Sequence, residues 1–139
     1  ILLFALALGD VANLLGTGVY VARLAQETIP LFMLLPLLFL ISSFIAFSIG
    51  SSWGTFAIMI PLAMQIALSL ELSTSLFLAA VLSGSVFGDH ASPISDTTVV
   101  ASMASATDHI DHVRTQLPYA GISAAIATVG FFILGLMLL

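Results

Sequence analysis

The sequence GDHASPISDTT at residues 88–98 lies between two apolar stretches, 74–88 and 97–107, and decides how the chain is interpreted. As helices these flanks would measure roughly 22 and 16 Å, so neither crosses a ~30 Å hydrocarbon core alone, but together they can. A glycine and a proline inside the stretch favour a helix that is interrupted at membrane depth. We therefore predict one discontinuous transmembrane helix that is non-helical over 88–96. A plain polar loop is the alternative, because such clusters usually form loops.

The composition of the whole chain is that of a membrane protein. Of its 139 residues, 60% are hydrophobic and 6% charged, and the mean hydropathy is +1.24. Soluble domains carry roughly 25% charged residues, so a soluble fold is excluded. The apolar runs do not alternate with polar residues, which argues against an outer-membrane barrel. Two basic residues against seven acidic ones leave no basic surface for nucleic acid, and no cysteine is present to form disulfides.

The apolar runs predict an all-α fold, a fragment of a polytopic membrane protein with a re-entrant hairpin and a discontinuous transmembrane helix. The chain starts and stops inside apolar runs and shows no signal peptide, so we expect it to be part of a longer protein. In 108–117, three apolar residues share one helical face, which is typical of an interfacial helix. The predicted segments are a membrane segment at 1–25, a helical hairpin at 29–70, the broken helix at 74–107, the interfacial helix at 108–117 and a membrane helix at 118–139.

The two halves of 29–70 are separated only by Ser51 and Ser52, which is too short for an ordinary loop between two full spans. A re-entrant hairpin solves this, because irregular backbone at membrane depth is tolerated where protein surrounds it. One long kinked helix or two full spans are the alternatives. In a hairpin Trp53 would lie in the protein interior, whereas an interfacial anchor would place it at the headgroups. Gly50 and Gly54 suit a tight tip or simple close helix packing.

Asp89 and Asp96 are the strongest candidates for chemistry. On an unbroken helix they would lie ~10 Å apart, but a break lets the chain bring both carboxylates together with hydroxyls and free carbonyls. Transporters hold Na⁺ with oxygen ligands of this kind, and carboxylates at membrane depth are costly unless functional. We predict a cation- and proton-binding site with Na⁺ at Asp89 and Asp96. The supporting oxygen ligands or site walls would be Ser92, Ser95, Thr97, Ser51, Ser52 and Thr55.

Three further sets of polar residues have less specific signals. Asp10 and Asn13 share a helical stripe with Thr17, and either line the same cavity or make hydrogen bonds within the packing. His90 is either a proton relay or a hydrogen-bonded structural histidine. Residues 108–112 have the composition of a metal site, but they also form the polar face of the predicted interfacial helix, which is the favoured interpretation.

Three motifs are similar to those of the NhaC-type Na⁺/H⁺ antiporter family, within the ion-transporter superfamily. They are SSWGTF at 51–56, GDHASPISDTT at 88–98 and, after His109, DHVRTQLPY at 111–119. The resemblance covers the chain from about Leu14 onward and corresponds to the C-terminal portion of that family. It implies a secondary transporter with inverted repeats, re-entrant hairpins and broken helices around a central site. Relatives in that family include sodium-coupled organic-acid exchangers, so the resemblance leaves the substrate open.

We predict a multi-pass plasma-membrane protein that exchanges Na⁺ for H⁺ by alternating access. Deprotonated Asp89 and Asp96 would bind Na⁺, and protonation on the other side would release it. The alternative is a Na⁺- or H⁺-coupled organic-acid (malate/lactate) antiporter. Neither Arg23 nor Arg114 lies in an apolar segment to meet such an anion, which favours the cation.

The rival classes fit the sequence less well. The nearest matches to the intramembrane protease motifs, at Ser83 and Asp89, each lack one glycine, so we do not expect an enzyme. A purely structural subunit would not explain the acidic block. We expect no cofactor, since Na⁺ and H⁺ are cargo. The expected partners are the lipid bilayer, these ions and the remaining N-terminal part of the same transporter, without nucleic acid; a homo-oligomer is left open.

Overall fold

The computed structural model describes residues 2–138, and for positions 2, 5, 25, 26 and 138 only the backbone. This part of the chain is all helical, as predicted. Three of its helices are long and apolar enough to cross a membrane: Leu31–Ile49, Ser52–Ser69 and His109–Met137. The helices are α1 (Leu2–Leu14), α2 (Thr17–Thr28), a 3-10 turn (Leu31–Met33), α3 (Leu34–Ile49), α4 (Ser52–Ser69), α5 (Thr74–Ala91), α6 (Asp96–Ala104) and α7 (His109–Leu138).

Helices α3 and α4 form a pair joined by a two-residue turn. Gly50 has a φ of 71° and ends α3 in the left-handed conformation that glycine adopts without steric cost. Ser51 is extended and begins α4, where its Oγ accepts the backbone N–H of Gly54 at 3.3 Å. Each helix approaches the length of a membrane span, so the re-entrant placement of this pair stays a prediction.

Trp53 does not lie in the interior of the described chain: it is 69% exposed and packs edge-on against Phe56. The buried side of α4 includes Thr55, Met59 and Ala63. Trp53 precedes Thr55 by two residues, which places it about 200° around the helix from that side.

Helix α5 runs parallel to α3 at unusually close range. A Cβ on Gly84 would lie 2.3 Å from the carbonyl oxygen of Phe39, and one on Gly88 would lie 2.1 Å from that of Ser43. One turn later, the Oγ of Ser92 donates to the carbonyl oxygen of Phe47 at 2.7 Å. These pairs advance by four residues on both helices, so the two backbones keep one register. Glycine is required at both positions because any side chain would meet backbone atoms.

The predicted break in the fourth segment is present but shorter than expected. Helix α5 continues through Gly88 to Ala91, and only Ser92–Ser95 is non-helical before α6 begins. Gly88 does not break the helix because it serves the close approach to α3. The helix ends where Ser92 turns extended before Pro93, a residue that disfavours the helical conformation in its predecessor.

The first segment, predicted as a membrane segment at 1–25, consists of two helices. Gly16, with a φ of 65°, separates α1 from α2, and α2 continues to Thr28. The amide of Gln65 on α4 fills this second break: it accepts the backbone N–H of Gly18 at 3.0 Å and donates to Oδ1 of Asn13. The first segment is therefore discontinuous as well.

Helix α7 is continuous from His109, so the predicted separation into 108–117 and 118–139 is absent. Pro118 lies inside the helix, in its third turn. The predicted apolar face is not the one that packs on the protein, because Ile110 and Leu117 are exposed and only Val113 is buried. Farther along, α7 packs on α3 through aromatic pairs such as Phe39 with Phe131, whose ring centroids lie 5.5 Å apart.

Candidate functional site

The carboxylate of Asp89 is the centre of the candidate site. It lies in the last turn of α5 and is only 5% exposed. The Oγ of Ser95 donates to its Oδ1 at 2.6 Å, and the Oγ of Ser52 donates to its Oδ2 at 3.1 Å. The break after α5 and the start of α4 thus meet at one buried carboxylate.

Ser95 has a second role as the residue that begins α6. Its Oγ accepts the backbone N–H of Thr97 at 3.2 Å and lies 2.7 Å from the Oγ1 of Thr97. Capping of this kind satisfies a helix donor that would otherwise have no partner. The hydroxyl of Ser95 therefore fixes the start of α6 and contacts Asp89. Thr97 contacts Ser95 and is separated from the carboxylate by this one hydroxyl.

Packing between the break and the α3–α4 turn holds these groups in place. Ser92 is fully buried and connects the break to the end of α3 through its bond to Phe47. A Cβ on Gly50 would lie 2.9 Å from the carbonyl carbon and oxygen of Ile94. The turn and the break are therefore in direct van der Waals contact, which requires glycine at position 50.

Two backbone carbonyls, that of His90 in the last turn of α5 and that of Pro93 in the break, receive donors that the sequence did not predict. The oxygen of His90 accepts from Oγ1 of Thr98 at 3.2 Å and from Nε2 of Gln116 at 3.0 Å. The oxygen of Pro93 accepts from Nε2 of His109 at 2.6 Å. The sequence spacing could have predicted that these two side chains act together, since His109 and Gln116 are seven residues apart and therefore lie on one face of α7.

Asp96 is not brought together with Asp89 in this conformation. It is exposed in the first turn of α6, beside Thr97, and no hydrogen bond joins it to Asp89 in the part of the chain that the structure describes. The helix start explains this, because Ser95 turns inward as the cap and the following residue projects outward. Participation of Asp96 in Na⁺ binding stays a prediction.

The remaining predicted residues take other positions. Thr55 is buried and donates to the carbonyl oxygen of Ser51, so both shape the turn. His90 is exposed, and its Nδ1 contacts the Val86 carbonyl of its own helix. Asp10 is exposed, and Asn13 is bonded to Gln65, thirteen residues along α4 from Ser52 and thus ~20 Å away. Neither residue joins the Asp89 cluster here.

The site joins a buried acid to hydroxyl oxygens without a basic side chain. The only two basic residues, Arg23 and Arg114, are both exposed. Among residues 2–138, no group of three or more acidic or histidine side chains is arranged to hold a metal ion. A buried carboxylate without a countercharge is costly, and either a proton or a monovalent cation offsets that cost. The hydroxyls of Ser52 and Ser95 can donate to the free carboxylate or turn their lone pairs toward a cation.

The described part of the chain combines apolar helices of spanning length with a helix that is broken beside a buried carboxylate, an arrangement that is typical of membrane transport proteins. The chain belongs to the Na⁺/H⁺ antiporter family, which it matches over residues 1–136. No solved structure matches it.

Three relatives illustrate the range of proteins to which the chain is similar. An uncharacterized protein of Haemophilus influenzae is 42% identical over 97% of this chain and 26% of its own length. The arginine/ornithine antiporter ArcD of Halobacterium salinarum is 36% identical over 88% of this chain and 25% of its own length. The malate-2H⁺/Na⁺-lactate antiporter of Bacillus subtilis is 39% identical over 73% of this chain and 23% of its own length. The chain thus spans about a quarter of the relatives it matches.

Proposed function

We propose that this chain carries the cation- and proton-binding centre of a secondary transporter that exchanges Na⁺ for H⁺ by alternating access. The observation that carries this proposal is the buried Asp89 carboxylate, which among the described residues has two hydroxyl partners and no basic one. Such a group can hold one proton or one monovalent cation at a time. Competition between the two is the minimal requirement for exchange.

In the proposed cycle, Na⁺ binds to ionised Asp89 as Ser52 and Ser95 turn their oxygens toward the ion. After the site opens to the other side, a proton replaces Na⁺ on the carboxylate. The protonated acid can then donate one hydrogen bond and remain neutral during the return. Asp96 and Thr97, at the exposed edge of the same break, would guide the ion toward Asp89.

The second candidate function is Na⁺- or H⁺-coupled exchange of an organic acid or amino acid. The names of two relatives, an arginine/ornithine and a malate-2H⁺/Na⁺-lactate antiporter, favour it. An organic anion needs cationic or N–H donors, and both arginines of this chain are exposed. In this case the Asp89 cluster would bind the coupling ion, and the rest of the transporter would supply the anion site.

The surroundings of the site follow from the same proposal. We expect a multi-pass protein of the plasma membrane that needs no cofactor, because the ions are cargo. The remaining part of the transporter would cover the exposed apolar faces together with lipid, and pairing with a second copy is left open.

A transport assay on the full-length protein in inverted membrane vesicles tests the proposal. Proton movement is followed after addition of Na⁺, Li⁺, K⁺ or malate. We expect a response to Na⁺ that is abolished in Asp89→Asn, which keeps the size of the side chain but removes its charge and proton site. Glu71→Gln is the control, because Glu71 is exposed. A response to malate alone would favour the second candidate, and a fully active Asp89→Asn protein would refute both.

A further inference from the structure

The stripe formed by His109, His112 and Gln116 on α7 faces the protein, where it contacts the break and α6. Gln116 donates to the carbonyl oxygen of His90, and His109 donates to that of Pro93. The carbonyl of His90 lies in the last turn of α5 and that of Pro93 lies in the break, so neither has a partner within a continuing helix. Helix α7 therefore supplies hydrogen-bond donors to the break from a distant part of the sequence.

Ser102 on α6 connects the two histidines. This residue is 2% exposed, and its Oγ lies 2.8 Å from the carbonyl oxygen of Thr98. The same Oγ lies 3.1 Å from Nδ1 of His109 and 2.7 Å from Nδ1 of His112. A hydroxyl has one proton and two lone pairs, and a carbonyl can only accept. All three contacts are therefore hydrogen bonds only when both Nδ1 atoms carry a proton.

The same condition has a consequence for the protons on the ring of His109. Its Nε2 already needs a proton to donate to Pro93, so the complete set of bonds requires protons on both ring nitrogens. His112 can meet the condition as a neutral ring. When His109 loses one proton, either the bond to Pro93 or one of the bonds made by Ser102 is lost. The imidazolium form of His109 thus binds the break most firmly.

We propose that His109, acting with Ser102, is a positioning residue for the Asp89 site, and that its hydrogen bond to Pro93 in the break depends on the protonation of the ring. Pro93 precedes Ser95 by two residues, and Ser95 donates to Asp89 at 2.6 Å. A displacement of Pro93 therefore moves the hydroxyl that contacts the carboxylate. The consequence for ion exchange rests on the function proposed above, whereas the hydrogen bond from His109 to Pro93 in the break does not.

The dependence of this contact on the protonation of His109 comes from its hydrogen bonds, because no nearby carboxylate in the described chain pairs with the ring. Asp108 accepts the backbone N–H groups of Ile110 and Asp111 at 2.9 and 3.2 Å, so its carboxylate is engaged at the start of α7. In the described part of the chain the ring of His109 is bonded to Ser102 and Pro93 and to no carboxylate. The complete set of bonds needs a proton on each ring nitrogen of His109, so the contact with Pro93 weakens when the ring loses one of them. The titratable and charged side chains on the packed elements are Asp89 and His90 on α5, Asp96 on α6, and Asp108, Asp111, His112 and Arg114 at the start of α7.

The test uses a nitroxide spin label at Ile94→Cys in the full-length transporter, reconstituted in lipid, with other cysteines replaced. Ile94 lies in the break and is 64% exposed. We expect the label to become more mobile between about pH 5 and about pH 8, the range in which histidine titrates. In His109→Gln, which keeps a donor for Pro93 but cannot titrate, the spectrum should be the same at both pH values. Asp111→Asn, an exposed change in the same helical turn, should keep the pH response.

A second variant and a second measurement make the result decisive. Ser102→Ala removes the shared hydroxyl and should also abolish the pH response of the label, whether or not His109→Gln folds. In transport, His109→Gln should reduce the pH dependence of the KM for Na⁺ to the part that competition between H⁺ and Na⁺ at Asp89 causes, while kcat stays within about twofold. The proposal would be overturned by a label that shows no pH response in the parent protein. It would also be overturned if His109→Gln and Ser102→Ala kept the pH response of the parent. If the full-length protein does not exchange Na⁺ for H⁺, the proposed function is refuted, but the positioning role of His109 is not. The spin label reports the mobility of the break and does not depend on transport.

Discussion

The Cα of Gly88 approaches the carbonyl oxygen of Ser43 so closely that a Cβ on the glycine would lie 2.1 Å from it. Asp89 is the next residue, so this approach fixes where its carboxylate enters the interior. The position of the candidate site is thus set by backbone packing between α3 and α5 one residue earlier.

Gly88→Ala should destabilise the protein, because the added methyl group would force α5 away from the backbone of α3. Overpacking of this kind costs about 1–3 kcal/mol. Thermal unfolding of the purified full-length protein in detergent would measure it as a lower Tm. Gly121→Ala is the matched control, since a Cβ there meets nothing within 4 Å and alanine favours helix. Equal stability of Gly88→Ala and the parent would contradict the close approach.

Ser95→Ala should weaken Na⁺ binding more than Ser52→Ala does. Ser95 makes the shorter bond to Asp89, 2.6 Å against 3.1 Å, and also caps α6. Loss of a cap costs about 0.5–2 kcal/mol, so Ser95→Ala should also lower the Tm. The concentration of Na⁺ that gives half-maximal proton movement measures the first effect. A larger effect of Ser52→Ala would show that the turn, rather than the break, supplies the main hydroxyl.

Asp96→Asn should reduce the apparent affinity for Na⁺ but leave measurable exchange, in contrast to Asp89→Asn. The carboxylate of Asp96 is exposed at the edge of the break, whereas that of Asp89 is buried. Both variants are compared in the same vesicle assay, with protein amounts matched. If Asp96→Asn is as inactive as Asp89→Asn, the two carboxylates share one site in another conformation of the cycle.

Gln65→Ala should destabilise the first broken segment, because Gly18 loses its acceptor and Asn13 its donor. The bond to Asn13 is exposed and that to Gly18 is partly buried, so we expect a loss of about 0.5–1.5 kcal/mol, the range for an ordinary hydrogen bond. Asn13→Ala and the double variant complete a cycle, in which the two effects should not add, since the side chains contact each other. Additive losses in Tm would show that the Gln65–Asn13 bond contributes nothing.

The sequence was most informative where a feature depends on neighbouring residues. Pro93 and the short flanks predicted a helix break, and the break is present because proline restricts the residue before it and lacks an N–H group. Gly50 and Ser51 predicted a tight joint for similar local reasons. The extent of the break was less predictable, because Gly88 forms a Gly-x-x-x-Gly pair with Gly84, which is typical of helix packing, but also borders the polar block, where a break was expected.

Partners that come from distant segments could not be predicted in the same way. Gln65, Ser102, His109 and Gln116 each bond to a residue on another element, and composition alone does not specify which polar groups will meet. The first turns of α7 show the same limit. Their apolar and polar stripes were both visible, but only the free carbonyls at the end of α5 determine which stripe faces the protein.

The sequence by itself therefore determined the class, an all-helical membrane protein with a broken helix and a carboxylate at the break. The tertiary structure decided that Asp89 is enclosed by Ser52 and Ser95 while Asp96 remains outside. The physical reason is the range of the forces involved. Hydropathy and backbone restrictions act within a few residues and can be read along the chain. The burial of a particular carboxylate depends on how closely α3 and α5 approach, which is set only when both helices are packed.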